Sequence, residues 1–303
     1  MADSKAIAQA IRDGRTSLGI EFGSTRIKAV LIDDERNTIT TGDYGWQSHL
    51  VDGLWSYDVD KIWRGLQSVY ADVADRVEAD YGLKLTRIGQ IGFSAMMHGY
   101  LAFDADGELL VPFRTWQNTN TSEAHEKLSE LFQYNIPERW SIAHLYQAVL
   151  DNEPHIGSVR YFTTLSGYVH WKLTGRKVLG IGDASGMFPI DPNTKTYEQG
   201  FIEQFDALPE VAAQPWKLND LLPEPLVAGT PANSRRKARR CSTRLAYFSR
   251  ERCSLLRKVM PEPAWWPRTR YAVVPATCLR EPRSSPPLCL STNSPSCAPK
   301  WTW

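Results

Sequence analysis

The stretch SLGIEFGSTRIKAVLI at residues 17–32 decides the fold. Two apolar runs of β type flank the small polar step Gly-Ser-Thr, which is a pattern typical of a β-hairpin. The polar cluster from Asp33 to Asn37 predicts a second turn, so we expect the chain to begin as an antiparallel meander that continues through residues 38–41. A sheet that opens in this way cannot be entirely parallel.

Helical periods follow the meander. Between Asp60 and Tyr81 the apolar residues recur at spacings of three and four, as an amphipathic helix requires, and Gly82 is placed to end that helix. Further helices are predicted at residues 1–13, 122–132, 141–150, 164–173 and 198–208, and strands at residues 87–94 and 100–103. Strands and helices in this order predict an α/β fold with a mixed β-sheet and flanking helices.

Composition divides the 303 residues near position 230. Residues 231–303 contain 15 Lys or Arg against 3 Asp or Glu, whereas residues 1–230 contain 20 against 31, so charges of +12 and −11 nearly cancel. All five cysteines also lie after residue 230, which leaves the first part without a disulfide framework and suits a reducing compartment. No run of 18 apolar residues occurs, so we expect no membrane span and a cytoplasmic location.

The expected organisation has three parts: an N-terminal extension at residues 1–16, a folded domain at 17–230 and a basic tail at 231–303. The tail is rich in Pro, Ser, Arg, Cys and Trp and shows no helical or strand period, so we expect it to be irregular and disordered.

Two interpretations of the tail stay open. It is either a basic arm that binds nucleic acid or another polyanion, or a frameshift product. The frameshift is favoured because the reading frame one base earlier can encode two Gly-rich stretches across residues 255–283. Trp265 and Trp266 are also unusual for a polyanion-binding arm. We therefore do not expect a nucleic-acid partner, and a homodimer is a further expectation.

The hairpin turn carries residues that suit a polyphosphate. Gly23 lets the backbone approach the phosphate, Ser24 and Thr25 offer hydroxyl and amide donors, and Lys28 supplies a compensating charge. The carboxylate of Glu21, at the end of the first strand, can hold a hydrated Mg²⁺ beside that phosphate. A plain hairpin turn is the alternative explanation for the same residues.

Two later loops carry groups that suit a sugar. Met97 and His98 follow a predicted buried strand, where the imidazole can hydrogen-bond a hydroxyl or a carbonyl, although a simple strand-end cap is the alternative. Trp116, Gln117 and Asn118 combine an indole, which can cover the apolar face of a sugar, with amides that can bind its hydroxyls. A loop that caps the next helix explains this cluster equally well.

Asp183 is the candidate general base. It forms a polar step, flanked by glycine and small residues, within the otherwise apolar run VLGIGDASGMFPI at residues 178–190. A carboxylate fixed there can take the proton of a substrate hydroxyl as that hydroxyl attacks phosphorus. The alternative is a turn aspartate that bonds its own backbone.

The order of these motifs resembles that of the FGGY carbohydrate kinases, which include xylulokinase, ribulokinase and glycerol kinase. The resemblance covers residues 17–230 and is strongest at residues 173–191, which read LTGRKVLGIGDASGMFPID. It implies an actin-like protein with two RNase H-like domains that close over a cleft. It also implies a sugar or polyol as the phosphoryl acceptor, with ATP and Mg²⁺ as cofactors.

The resemblance also implies roles for the motifs. It assigns Asp183 as the general base, Met97 and His98 as contacts to a ketose, residues 116–118 as sugar contacts, and the hairpin at residues 21–28 as the first phosphate motif. Two features depart from the family. Glu21 stands where the family usually has Asp, and the Trp-Gln-Asn run differs from the commoner patterns, so the sugar cannot be inferred from it.

The family resemblance places a second, nucleotide-binding domain after residue 226, where this sequence has the basic tail. The expectation is therefore a truncated kinase half with little or no turnover. Two other hypotheses remain open: a protein without enzymatic activity that binds a polyanion through its tail, and a pseudokinase that regulates a partner.

Overall fold

A computed structural model describes residues 4–227 and the backbone of residues 273–275. The strands are β1 (Thr16–Phe22), β2 (Arg26–Asp33), β3 (Thr38–Gly45), β4 (His49–Val51), β5 (Leu54–Ser56), β6 (Gln90–Ala95), β7 (Leu101–Phe103), β8 (Tyr161–Thr163), β9 (Val178–Gly180), β10 (Glu224–Leu226) and β11 (Val273–Pro275). The helices are α1 (Ser4–Asp13), α2 (Val59–Tyr81), α3 (Ser122–Phe132), α4 (Ser141–Leu150), α5 (Leu165–Thr174), α6 (Ile181–Ala184), α7 (Gln199–Asp206), α8 (Pro209–Ala212) and α9 (Leu218–Leu221), and a 3₁₀ turn lies at Ile156–Ser158.

A five-stranded mixed sheet with the order β11-β6-β1-β2-β3 confirms the predicted fold class. β1 and β2 are antiparallel, with Phe22 opposite Ile27, so residues 23–25 form the predicted hairpin turn. β6 runs parallel to β1 on the other side. Burial alternates along β1, where Leu18, Ile20 and Phe22 face the core and the residues between them are more exposed. This alternation is that of a strand with one face buried.

α2 packs against the sheet through its buried stripe, which includes Ile62, Val69 and Val73. The helix ends at Gly82, whose φ of 63° is left-handed, as predicted. α2 comes so close to β3 that a Cβ atom added to Gly42 would lie 2.5 Å from the Val69 carbonyl oxygen. Glycine at position 42 therefore sets the distance between helix and sheet.

A second hydrophobic core lies among α3, α4, α7 and the short helices that follow. Its buried residues include Leu128, Leu145, Phe188 and Phe205. β7 lies at the boundary of the two cores, since Leu101 and Phe103 belong to the first core and Ala102 to the second. The chain enters this boundary shortly after β6, between Phe93 of the first core and Tyr100 of the second. The loop between these two residues, which carries Met97 and His98, therefore lies at the junction of the two cores.

Three local features differ from the sequence expectations. Asp183 lies in the helical turn α6 rather than between two strand-like stretches, because Gly182 and Ala184 allow the chain to turn immediately after β9. The N-terminal extension contributes to the fold, since α1 buries Ile7 and Ile11 in the first core. α8 and α9 were not predicted because four residues are too few to show a helical period.

The expected disorder of the tail at 231–303 lies outside the described residues, with one exception. The backbone of β11 forms a parallel pair with β6, with Val274 opposite Gly92. Apart from this backbone pairing, the irregular and disordered character expected of the tail stays a prediction. Within the described ranges, no helix is both long and apolar enough to cross a membrane.

We expect Gly42→Ala to lower the free energy of unfolding by about 1–3 kcal/mol, because the new methyl group meets the α2 backbone, which cannot yield as a side chain does. Gly45→Ala is the matched control on the same strand, since no heavy atom of the described residues lies within 4 Å of an added Cβ there. Urea denaturation of both variants checks this expectation. Equal stabilities of the two variants would contradict the close packing.

Candidate functional site

The side chain of Asp183 is held in place through one of its two carboxylate oxygens. Oδ2 accepts hydrogen bonds from Thr164 Oγ1 at 2.7 Å and from the Ser166 hydroxyl. Oδ1 is buried and has no hydrogen-bond partner among residues 4–227. Burial raises the pKa of Asp183, and the hydrogen bonds from Ser166 and Thr164 oppose that rise. Asp183 is therefore bonded to hydroxyl groups from residues 19 and 17 positions earlier in the sequence, and not to the backbone of its own turn. A carboxylate held in this way is suited to accept a proton.

A cavity of about 270 Å³ lies against this carboxylate. One wall comes from β6 and the loop after it, including Ser94 and Met97, and the other from α5, β9 and α6, including Ser166, His170 and Asp183. A cavity of this size takes a small molecule. The structure therefore brings together two of the residues predicted from the sequence, Met97 and Asp183.

His98 lies in a tightly held turn beside this cavity. His98 and Gly99 have positive φ values of 67° and 90°. The Nδ1 atom of His98 lies 3.2 Å from the carbonyl oxygen of Gly186, and Ser141 Oγ donates to the Gly99 carbonyl at 2.6 Å. Burial lowers the pKa of His98, which favours the neutral ring. Because a carbonyl only accepts hydrogen bonds, Nδ1 carries the proton and Nε2 is an acceptor for a ligand hydroxyl.

The Trp116 loop exposes its indole but keeps Asn118 inside. Trp116 is 42% exposed, whereas Asn118 is 4% exposed. Asn118 Oδ1 accepts from the Trp55 backbone N–H at 2.7 Å, and Nδ2 donates to the Trp55 carbonyl at 2.9 Å and to the Thr115 carbonyl at 3.2 Å. The Asn118 amide therefore ties its loop to the β4–β5 hairpin, and its role as a sugar contact stays a prediction. Gln117 is partly exposed on the same loop.

The hairpin turn at residues 23–25 directs its carbonyl oxygens into the protein. The Gly23 carbonyl accepts from Trp46 Nε1 at 2.7 Å, and the Ser24 carbonyl accepts from the Tyr57 hydroxyl at 2.7 Å. The Thr25 carbonyl accepts from the Trp46 backbone N–H at 3.1 Å. In a trans peptide the N–H points opposite the C=O, so the amides of this turn point away from the two aromatic residues. Amide and hydroxyl donors on the outer side of a turn suit phosphate oxygens.

Glu21 connects this turn to the cavity. Its side chain is exposed, and its strand partners are Lys28 on β2 and Ser94 on β6. Because Ser94 also lines the cavity, Glu21 lies beside the cavity wall. Lys28 is in turn the strand partner of Asp43 on β3, so the side chains of Glu21, Lys28 and Asp43 lie on the same face of the sheet.

The surroundings of Glu21 suit a hydrated Mg²⁺. A Cβ atom added to Gly23 would lie 3.9 Å from Glu21 Oε1, so this oxygen lies near the turn that offers the phosphate donors. The described part of the chain contains no group of three or more His, Cys, Asp or Glu that could enclose a metal ion. A single carboxylate fits an ion that takes its other ligands from phosphate and water, as Mg²⁺ does.

Sequence reasoning missed Thr164, Ser166 and His170. Ser166 and His170 are one helical turn apart on α5 and both line the cavity. Both ring nitrogens of His170 are buried without a hydrogen-bond partner in the described residues. Burial, and then the charge of Arg176, lowers the pKa of His170 to about 4. The spacing of the two residues was a usable signal, but α5 is apolar on several sides, so no cavity face could be identified.

We expect the free energy of unfolding to fall as the pH decreases from 6.5 to 4.5. Over this range the unfolded chain binds a proton at His170, whose ordinary pKa is about 6.5, whereas the folded chain, with a pKa of about 4, does not. His170→Leu is expected to reduce the loss by roughly 2 kcal/mol, as measured by urea denaturation at both pH values. His49→Gln, at an exposed histidine, is the control and keeps the wild-type loss. A His170→Leu variant with the full wild-type loss would contradict this account.

The sequence of this chain is similar to those of known carbohydrate kinases. Residues 16–215 match the FGGY family of carbohydrate kinases, N-terminal domain. A xylulose kinase of Lactococcus lactis is 25% identical over 198 residues, which are 62% of this chain and 39% of that protein. A glycerol kinase of Thermococcus onnurineus is 24% identical over 215 residues, which are 65% of this chain and 43% of that protein. The chain thus spans about two fifths of the length of these curated relatives.

Solved structures share the fold. A xyloylose kinase from Brucella ovis has a TM-score of 0.64 at 16% identity, covering 86% of this chain and 48% of that one. Plasmodium falciparum glycerol kinase with ADP has a TM-score of 0.57 at 16% identity, covering 85% of this chain and 48% of that one. Since the family match alone extends over about two thirds of the sequence, the chain belongs to the FGGY family of carbohydrate kinases.

Proposed function

We propose that this chain supplies the acceptor-binding half of an ATP-dependent kinase that phosphorylates a hydroxyl group of a sugar or polyol. The observation that carries the proposal is the Asp183 carboxylate on the wall of a small-molecule cavity, with Oδ1 buried and unpaired within the described structure. The names of the relatives, xylulose kinase and glycerol kinase, support a sugar or polyol as the acceptor.

The geometry supports a direct role for Asp183. Thr164 and Ser166 hold Oδ2, which fixes the carboxylate and leaves Oδ1 to accept the proton of the acceptor hydroxyl. As that proton leaves, the hydroxyl oxygen forms a bond to the γ-phosphorus of ATP and the bond from phosphorus to the ADP oxygen breaks. The raised pKa of Asp183 favours this proton transfer.

The other residues of the site bind and orient. His98 Nε2 accepts a hydrogen bond from a second hydroxyl of the acceptor, while Met97 and Trp116 contribute apolar surface that packs against carbon atoms of the sugar. Gln117 is placed on the same loop to bind a further hydroxyl.

The hairpin turn at residues 23–25 binds the phosphate groups of ATP in this proposal. The amides and hydroxyls of Ser24 and Thr25 bind phosphate oxygens, Gly23 allows the close approach and Lys28 adds positive charge. Glu21 would hold a hydrated Mg²⁺, which would neutralise phosphate charge. We further propose a cytoplasmic enzyme, as the absence of cysteine in residues 1–230 favours.

We propose that recognition of adenosine needs groups outside residues 4–227. The cavity and its loops are assigned to the acceptor, and the hairpin turn at residues 23–25 is assigned to phosphate alone. Without those groups phosphoryl transfer should be slow, since the reaction depends on positioning both reactants. The frameshift and polyanion-binding interpretations of residues 231–303 also concern residues outside those described, apart from β11. Translation of the gene in the neighbouring reading frame tests the frameshift, and stop codons in that frame would contradict it.

We expect Asp183→Asn to weaken binding of the acceptor by about tenfold, because the amide presents either an N–H or a weaker neutral acceptor to the substrate hydroxyl. Isothermal calorimetry of the full chain with D-xylulose and with glycerol measures this change. Asp191→Asn, at an aspartate outside the cavity, is the matched control and should bind as the wild type does. Failure of the wild-type chain to bind either compound, or equal affinities of the wild type and Asp183→Asn, would contradict the proposal.

A further inference from the structure

We infer that a buried network of Arg114, Glu153, His155 and Tyr100 positions the two acceptor loops, residues 97–99 and 115–118, relative to each other. The assignment of these loops to acceptor binding rests on the proposed function. The network itself does not touch the cavity, so its members are positioning residues rather than catalytic ones.

The two loops adjoin the same backbone bridge: residues 97–99 end at Tyr100, and residues 115–118 begin after Arg114. The Tyr100 N–H donates to the Arg114 carbonyl at 2.8 Å, and the Arg114 N–H donates to the Tyr100 carbonyl at 3.1 Å. Tyr100 directly follows the turn that carries His98, and Arg114 directly precedes the loop that carries Trp116. A shift at this bridge therefore changes the distance between the imidazole and the indole.

The side chains of the same two bridge residues are joined through a buried ion pair. Arg114 forms a salt bridge with Glu153, and His155 Nδ1 lies 3.3 Å from the same carboxylate oxygen. The Tyr100 hydroxyl lies 3.0 Å from His155 Nε2, and the Arg114 guanidinium lies 5.6 Å from the centre of the Tyr100 ring. The four side chains therefore form a closed circuit, in which each contacts two others.

Fold stability alone does not require charges at this place. Burial raises the pKa of Glu153, but the contacts with His155 and Arg114 lower it to about 2, so the carboxylate stays ionised at neutral pH. A buried ion pair is often no more stabilising than apolar side chains of the same volume, because both charges lose their hydration. Its directional bonds, however, fix the orientation of the groups that carry it. The network is therefore suited to setting a geometry.

That geometry extends to His98. A Cβ atom added to Gly99 would lie 2.8 Å from the Arg114 carbonyl oxygen, so the turn rests directly against the bridge. His98 in turn lies 3.2 Å from the carbonyl of Gly186, three residues after Asp183. Loosening of Arg114 should therefore release the His98 turn from the segment that carries the general base.

Glu153→Gln tests the inference, because it keeps the shape of the side chain and removes the charge that holds Arg114. Glu210→Gln is the matched control. Glu210 accepts a hydrogen bond from Tyr146 at the same hydrophobic core, and neither residue belongs to the two loops. NMR titration of His98, assigned with a His98→Gln variant, reports the loop, and calorimetry with D-xylulose and glycerol reports acceptor binding.

In Glu153→Gln we expect the pKa of His98 to rise toward its ordinary value, because the loosened turn exposes the ring, and the affinity for the probe to fall about tenfold. Glu210→Gln should leave both quantities unchanged even if it lowers the melting temperature. If Glu153→Gln does not fold, Tyr100→Phe takes its place, because it removes only the hydroxyl contact to His155. In that variant we expect a smaller rise in the pKa of His98 and a loss of affinity of a few-fold.

A wild-type His98 titration and a wild-type affinity in Glu153→Gln, or in Tyr100→Phe where that variant takes its place, would overturn the inference. The failure of the proposed function is distinguishable from this result. If the wild-type chain binds neither probe, the proposed function fails, whereas the His98 titration still decides whether the network holds the turn.

Discussion

The passage of the chain between two hydrophobic cores is the constraint on which the site depends. Phe93 is buried in the first core and Tyr100 in the second, so the segment between them crosses to the junction, where Leu101 and Phe103 of β7 face the first core again. A second crossing follows α5, where Leu173 belongs to the first core and Leu179 to the second. The cavity lies where these crossings meet, with residues of both on its walls. Tight turns and small residues are needed at such a junction, and they leave space for a ligand.

Polar groups at this junction do not follow the usual rule that buried polar atoms are paired. Asp183 Oδ1 and both ring nitrogens of His170 have no hydrogen-bond partner within the described structure. Both residues line the same cavity. An unpaired buried polar group costs about 1–3 kcal/mol, so several of them in one place require an explanation. A ligand rich in hydroxyl groups provides one, because each hydroxyl can both donate and accept hydrogen bonds.

Much of the fold could be predicted from local patterns. The β1–β2 hairpin follows from the two apolar runs that flank the Gly-Ser-Thr step, and α2 follows from its helical period and its stop at Gly82. β8 and β10 were missed because three residues carry too little pattern and are fixed by tertiary pairing.

The site could be predicted only where a motif was contiguous. Asp183 was identified from its place in an apolar run, whereas the hydroxyls that hold it come from residues 17 and 19 positions away. The hydrogen bonds of Asn118 to Trp55, 63 residues away, cannot be inferred from the loop itself. The ion pair of Arg114 and Glu153 spans 39 residues and leaves no local signal.

The central claim is that an acceptor binds between β6 and α6. Hydrogen exchange measured by mass spectrometry on the full chain, with and without saturating D-xylulose or glycerol, tests it most directly. The account predicts that the ligand slows exchange in peptides covering residues 94–99 and 181–187 and leaves the peptides of α2 unchanged. Slower exchange confined to other parts of the chain, while calorimetry shows binding, would contradict it.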